Sequence, residues 1–376
     1  MNTGVRKPQQ TCCTATPTTT QNSSTCCGPS EQAEGGQISE AVPGFTKWLD
    51  TPAGRVPQIS TTLTFSDHLG ACKARWAIAR MNYIVPSGLY AIGTPDADAP
   101  VIVTANYKMS YDIIRSALAG RNLWLLVLET FGVNVWCAAG KGTFGTDELV
   151  SRISKTELHR VVNHRQLILP ILGAPGVAAH EVAKKTGFTI RYATIRANDL
   201  PEYLDNGMHT TTAMRELTFT TYERLVLVPV ELVTNLKHMV LIGGLIMLGG
   251  LVYNNTSTGI TMLGGYLGAA ITGLVVVPVL LPWIPGRSFA LKGALLGLLW
   301  CSIYYLLSNG LDWRLTTIIA AFLALPTVSA YHALNFTGCT VYTSRSGVKK
   351  EMRLAIPMMG AAVAAGVILV IAGLMF

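Results

Sequence analysis

The chain has 376 residues, of which 50% are hydrophobic and only 13% charged, about half the charged share of a water-soluble globule. That balance excludes an ordinary single soluble domain and points to a membrane protein. The net charge is +8, yet no basic run interleaved with aromatics occurs in the first 230 residues, so nucleic acid is not an expected partner.

Residues 1–45 are rich in Thr, Ser, Gln, Gly and Pro, with almost no large aliphatics. Such a stretch cannot bury enough surface to offset ordering entropy, and it reads as a disordered tail. Its vicinal pairs, Cys12–Cys13 and Cys26–Cys27, have two open readings: thiolates that capture a soft ion such as Hg(II), or cysteines without a role. The other cysteines stand at 72, 137, 301 and 339, without a CxxC pair or the runs that hold an iron–sulfur cluster. Chemistry that needs electrons would therefore draw them from another protein. The polar N-terminus carries no secretory signal, which suits a reduced, cytoplasmic domain.

Residues 46–230 read as a soluble α/β domain. Short apolar runs at 88–92, 101–104, 123–128, 166–169 and 189–193 alternate with helical patterns at 110–119, 147–154, 177–186 and 199–205. That alternation predicts a mostly parallel sheet covered on both faces. Ligands of such sheets sit beyond the carboxyl ends of the strands, so the loops there hold the candidate site.

Residues 231–376 contain five apolar segments, 236–253, 258–283, 288–307, 315–336 and 354–376, each long enough to cross about 30 Å of hydrocarbon as a helix. With the soluble domain inside, the cytoplasmic flanks hold Arg224, Lys237, Arg287, Lys292, Arg345, Lys349, Lys350 and Arg353, against Arg314 alone on the other side. The positive-inside rule then predicts a multi-pass protein of the cytoplasmic membrane with an external C-terminus. Gly264 with Gly268, and Gly293 with Gly297, form small-xxx-small pairs for close helix packing. Pro278 and Pro282 kink or end the second span, and His332 reads as a packed or snorkelling residue near a helix end. The bundle reads as an anchor, since few charges lie within it.

The stretch with chemistry in it is Phe131-Gly132-Val133-Asn134-Val135-Trp136-Cys137-Ala138-Ala139-Gly140-Lys141, directly after the apolar run 123–128. Asn134 can cap a short helix. Cys137 then sits in its first turn, where the positive end of a helix favours a thiolate. Lys141 lies four residues on and shares that face, while Ala138, Ala139 and Gly140 leave room for a large flat ligand. Residues alone leave three readings open: a functional thiolate, a buried structural cysteine beside Trp136, or a nucleophile that lacks an evident His partner.

The string Asn134-Val135-Trp136-Cys137-Ala138-Ala139-Gly140-Lys141 resembles the cap-helix signature of the HgcA family, the corrinoid proteins of microbial mercury methylation. Leu169-Pro170-Ile171-Leu172-Gly173-Ala174-Pro175-Gly176-Val177 resembles the corrin-facing loop shared with the corrinoid iron–sulfur protein of the acetyl-CoA pathway. The resemblance runs from about residue 45 to the end and omits the cysteine-bearing tail. It implies a Rossmann-like corrinoid domain followed by an all-α bundle of five transmembrane helices. It implies, further, a base-off cobamide with Cys137 as lower axial cobalt ligand, and a methyl group carried on cobalt(III) from a methylated folate or its methyltransferase to Hg(II). A ferredoxin-like 4Fe–4S partner of the HgcB type would return the electrons. The Asp-x-His-x-x-Gly pattern of histidine-ligated cobalamin domains is missing, and Asp67-His68-Leu69-Gly70 has the wrong spacing. Loop position adds Thr104, Asn106 and Tyr107, then Gly173, Ala174 and Gly176, then 193–198 as candidate corrin-lining residues, although Gly173 and Gly176 equally suit plain turns. Two alternatives stand beside this function: a corrinoid methyl carrier for another acceptor, and a membrane transporter or sensor with a corrinoid-binding domain.

Overall fold

The computed structural model describes residues 42–253, 255–339 and 345–375. The pairs Cys12–Cys13 and Cys26–Cys27 lie outside the described residues. The first half builds one seven-stranded sheet from β1 (Phe45–Thr51), β2 (Gly54–Ile59), β3 (Gly88–Ile92), β4 (Val101–Ala105), β5 (Leu123–Leu128), β6 (Gln166–Leu169) and β7 (Thr189–Tyr192), in the order β1-β2-β3-β5-β4-β6-β7. Its helices are α1 (Phe65–Arg75), α2 (Lys108–Ala117), α3 (Val135–Lys141), α4 (Thr146–Lys155), α5 (Leu158–Val161), α6 (Ala179–Thr186) and α7 (Leu200–Asp205).

Strands β4 and β5 are apolar and buried along their whole length because both faces are covered. Val101, Val103, Leu126 and Leu128 join Phe144, Leu149 and Val182 on one side. Ile102, Leu125 and Val127 meet Tyr111, Ile114, Leu118 and Tyr203 on the other. Side-chain alternation along a strand thus feeds two cores, and each large aliphatic buried this way contributes roughly 1.5–3 kcal/mol.

Four of the six strand pairings are parallel, in line with a mostly parallel sheet, but the sheet is mixed. Strands β4, β5, β6 and β7 are parallel to their neighbours in that group, but β3 runs antiparallel to β5 and β1 antiparallel to β2. The apolar run of β3 marks a buried strand without marking its direction, and the β1–β2 hairpin is too polar to announce itself.

Helix α1 starts at a capping box in which the Thr64 hydroxyl accepts from the Asp67 amide and Asp67 Oδ2 accepts from the Thr64 amide. Asp67 also pairs with Lys108 Nζ at 2.5 Å and Arg115 Nη2 at 2.8 Å, and Asp112 pairs with the same two cations. Arg115 is fully buried and donates to the Ser60 carbonyl as well. Burial alone would push the Asp67 carboxyl up, but the Lys108 and Thr64 hydrogen bonds hold it well below the usual carboxylate range.

Among the described residues of the second half, five helices are long and apolar enough to cross a membrane. They comprise α8 (Thr221–Tyr253), α9 (Thr256–Ile271) continuing through a π turn at Thr272–Val276 into α10 (Val277–Leu280), α11 (Phe289–Leu307), α12 (Leu315–Asn335) and α13 (Arg345–Met375). Helix α8 begins 15 residues before the apolar segment read from the sequence, because Arg224 and Glu231 dilute hydropathy without breaking the helix. Its 33 residues make a rod of about 50 Å, longer than the hydrocarbon it would cross. The π turn precedes Pro278, whose missing N–H disturbs the ladder there.

The glycine pairs divide. A Cβ on Gly293 or Gly297 would fall 2.6 Å from Ala330 Cα or 2.7 Å from Ser329 Cβ, so α11 and α12 touch nearly backbone to backbone. Gly264 and Gly268 instead make room for the rings of Tyr304 and Trp300. His332 is packed rather than snorkelling: it is buried, with its Cβ against Gly273.

Candidate functional site

The site is built on the loop from β5 to α3, and Asn106, just beyond β4, organises it. Its Oδ1 accepts from the Thr130 amide at 3.1 Å and the Gly132 amide at 3.2 Å, while Nδ2 donates to Glu129 Oε1 at 2.6 Å. Glu129 Oε1 accepts from the Phe131 amide too. The Thr130 hydroxyl lies 2.7 Å from the Val133 carbonyl. These bonds hold Phe131 at φ +55° and Gly132 at φ +71°, a left-handed pair that costs of order 1 kcal/mol or more at the non-glycine position. Glycine at 132 is required twice over, since a Cβ there would also meet Ile84 Cγ2 and the Met81 carbonyl at 2.8 Å.

The loop ends at Asn134, whose Oδ1 accepts from the Cys137 amide at 2.9 Å, so the expected cap is present. Helix α3 closes at Gly142, φ +84°. Val135, Ala138 and Ala139 face the core, whereas Trp136, Cys137, Gly140 and Lys141 are exposed. A Cβ on Gly140 would meet nothing within 4 Å among the described residues. The sulfur is therefore presented outward on a small open face, which removes the buried structural reading of Cys137.

The loop after β6 serves α3 from behind. A Cβ on Gly173 would lie 2.6 Å from the Phe144 ring, and one on Gly176 would lie 2.1 Å from the Phe144 carbonyl and 2.9 Å from Ala139 Cα. These glycines let the loop dock against α3, a tighter role than a turn. Ala174 lies in the same loop, half-buried. Thr104 is fully buried with no partner for its hydroxyl among the described residues, and the Tyr107 hydroxyl stands likewise. Burial pushes the Tyr107 phenol up, against the opposing charge of Arg80, so it remains a neutral donor. Of the residues singled out in the sequence, the structure brings Asn134, Cys137, Gly140 and Lys141 onto one exposed element, with Asn106, Gly173 and Gly176 as its supports.

Sequence reasoning missed the segment 76–84 beside this loop. Ala77 and Ala79 adopt φ +59° and +50°, and Trp76, Ile78, Met81 and Ile84 are 45–62% exposed. Met81 and Ile84 lie against Gly132, next to Phe131 at 67% exposure, and exposed apolar side chains gathered in this way mark a binding surface; Trp136, on α3, is 42% exposed. The signal was available in Thr64-x-x-Asp67, a capping box ahead of apolar residues.

Residues 79–204 match the family model of the CO dehydrogenase/acetyl-CoA synthase delta subunit. The matched segment takes in β3 to β7 and every support of α3 named above. Among curated proteins, the chain is 32% identical over 123 residues to the acetyl-CoA decarbonylase/synthase complex subunit gamma of Methanopyrus kandleri, covering 32% of this chain and 26% of that one. It is 37% identical over 125 residues to the subunit gamma of Archaeoglobus fulgidus, covering 33% and 26%, and 32% identical over 130 residues to that of Methanocaldococcus jannaschii, covering 34% and 26%. The chain thus spans about a quarter of the length of these relatives. The similarity falls on the acetyl-CoA side of the resemblance read from residues 169–177.

Proposed function

We propose that this chain is a membrane-anchored corrinoid protein that carries methyl groups, with Cys137 as the lower axial ligand of cobalt and Hg(II) as the methyl acceptor. The observation that carries the reading is the outward sulfur of Cys137 in the first turn of an Asn134-capped helix, at the carboxyl end of a buried strand, on a face left open by Gly140. That face suits a broad planar ligand: Trp136 and Phe131 are exposed apolar side chains on α3 and the loop before it, and no side chain among the described residues fills the space over Gly140. A corrinoid bound there supplies a cobalt centre able to take up and release a methyl group.

The residues have distinct tasks. Asn134 and Asn106 orient the helix that presents the sulfur, Gly173 and Gly176 seat it, and Lys141 adds a cation to the exposed face. A thiolate pushes more charge onto the metal than a neutral imidazole does, which suits delivery of a methyl group to an electrophile such as Hg(II). We place the soluble half in the cytoplasm, with a methylated folate or its methyltransferase as donor and a separate ferredoxin-like 4Fe–4S protein as reductant.

Full-length protein loaded with cobamide provides the test. Cys137→Ala should remove the thiolate–cobalt signature from the visible spectrum and lower methylation of Hg(II) to background, whereas Cys137→His should keep a corrinoid spectrum and part of the activity. Near-normal activity in Cys137→Ala would defeat the ligand role. A second reading, a methyl carrier for another acceptor, is favoured by the acetyl-CoA relatives. Intact methyl loading without transfer to Hg(II) would establish that reading instead.

A further inference from the structure

Helix α1 is inside out for a helix on a soluble surface. At 100° per residue, Phe65, Leu69, Cys72 and Trp76 fall within about 60° of arc, and this is the exposed side: Phe65 is 82% exposed, Leu69 41% and Trp76 45%, with Cys72 exposed between them. The opposite side, through Asp67 and Ala74, is the buried one. Lys73 flanks the stripe on one edge, His68 and Arg75 on the other. Ile78, 57% exposed, and Met81, 62% exposed, prolong the apolar surface beyond the helix. An apolar stripe edged by cations and ending in Trp is the composition of a helix that lies in a lipid head-group layer.

Position supplies the partner. The backbone of α1 comes within 8 Å of α8, which leads into the first apolar span. The start of α8 is tied to the carboxyl edge of the sheet by Arg196 and Glu223 at 2.9 Å. Arg224, one residue on, donates to the Val279 carbonyl at the very end of the second span. The start of α8 is thus level with the point where the neighbouring span ends. A surface held beside that level has a bilayer as its permanent neighbour, at an effective concentration no diffusing protein reaches.

We propose that α1 is an interfacial helix that seats Phe65, Leu69, Cys72 and Trp76 in the cytoplasmic leaflet beside α8, with anionic lipid preferred through Lys73. The inference rests on the membrane part of the proposed function, and on no property of the corrinoid. Docking α1 also orients the sheet edge that bears α3, because Asp67 clamps α1 to α2 through Lys108 and Arg115.

The test uses full-length protein in nanodiscs of phosphatidylcholine, with and without phosphatidylglycerol, doped with a lipid whose acyl chain bears a diazirine. After photolysis, peptides covering 65–81 should be labelled along with α12, and more strongly when phosphatidylglycerol is present. Lys73→Gln should lower the phosphatidylglycerol-dependent labelling by about fivefold, the effect of one interfacial cation. Phe65→Ser with Leu69→Ser should abolish labelling of 65–81 and leave α12 labelled; both side chains are exposed, so the fold is retained. Labelling of α12 without 65–81 overturns the inference alone, and so does protection of 65–81 by a co-purified protein in place of lipid. Absence of label from both overturns the membrane reading itself.

Discussion

Asn134 shows how much one side chain decides at the residue scale. By accepting from the Cys137 amide it starts α3 at the residue that sets the sulfur in the first turn. Asn134→Ala should cost about 1 kcal/mol and speed hydrogen exchange at the Cys137 and Ala138 amides; unchanged exchange would remove the cap from the account. The glycines of the site make a sharper pair. Gly140 has open space around a hypothetical Cβ and helical backbone, so Gly140→Ala should stabilise the corrinoid-free fold by about 0.5–1 kcal/mol while weakening corrinoid binding. Gly176 has the Phe144 carbonyl 2.1 Å from that position, so Gly176→Ala should destabilise the fold by roughly 1–3 kcal/mol and weaken corrinoid binding as well. Thermal melts with and without cobamide separate the two.

Two assemblies matter at the element scale: the Asn106-held loop that carries α3, and the four charges that join α1 to α2. In the second, burial raises Asp67 but Lys108 and Thr64 bring it below its ordinary 3.8. A carboxyl depressed by folding contributes stability that is complete above its unfolded value and lost as the pH falls through the folded one. Burial likewise lowers Lys108, but Asp112 and Asp67 outweigh it and raise the amine above its ordinary 10.5, so its contribution is complete below that value and lost as the pH rises further. Asp67 and Lys108 are therefore both charged between about pH 4 and pH 10, and their titration leaves stability flat near neutrality. Asp67→Asn leaves Asp112 as the carboxylate that still pairs with Arg115 and should cost about 1.5–3 kcal/mol, read as faster exchange of α1 and α2 amides and as a shallower loss of stability below pH 4. Equal acid sensitivity in the variant and the parent would sink this assignment.

For the whole molecule, the governing feature is a mixed α/β sheet fused to five apolar helices, with the sheet's carboxyl edge tied to the start of α8. The proposed cytoplasmic placement of the soluble half would put residues 42–220 and the α10–α11 and α12–α13 connections on one side of the membrane. A reporter fused after residue 376 should then be active only outside, and one fused after residue 285 only inside; the reverse pattern would invert the topology. The protein should also stay in the membrane fraction through an alkaline carbonate wash, as expected of spans of 19 residues or more.

Periodicity and composition along the chain determined the five apolar helices, the β4, β5 and β6 strands and the Asn134–Cys137 cap, because each depends on residues within a few positions of one another. Only the tertiary structure decided what depends on distant chain. The apolar run 88–92 gives no hint that β3 reverses direction beside β5, since burial on two faces looks alike either way. Asn106, read as a candidate corrin contact, proved to spend its amide on the Thr130–Gly132 loop, 24 to 26 residues away. Gly173 and Gly176 acquire their purpose only when Phe144 and Ala139 are brought against them. Asp67, which stands in the sequence only beside His68 in a motif of the wrong spacing, becomes the centre of a buried charge network once Lys108 and Arg115 arrive from 41 and 48 residues on. Local free energy is written in neighbours along the chain, whereas the orientation of a sulfur toward open space is settled by packing between segments that the sequence lists far apart.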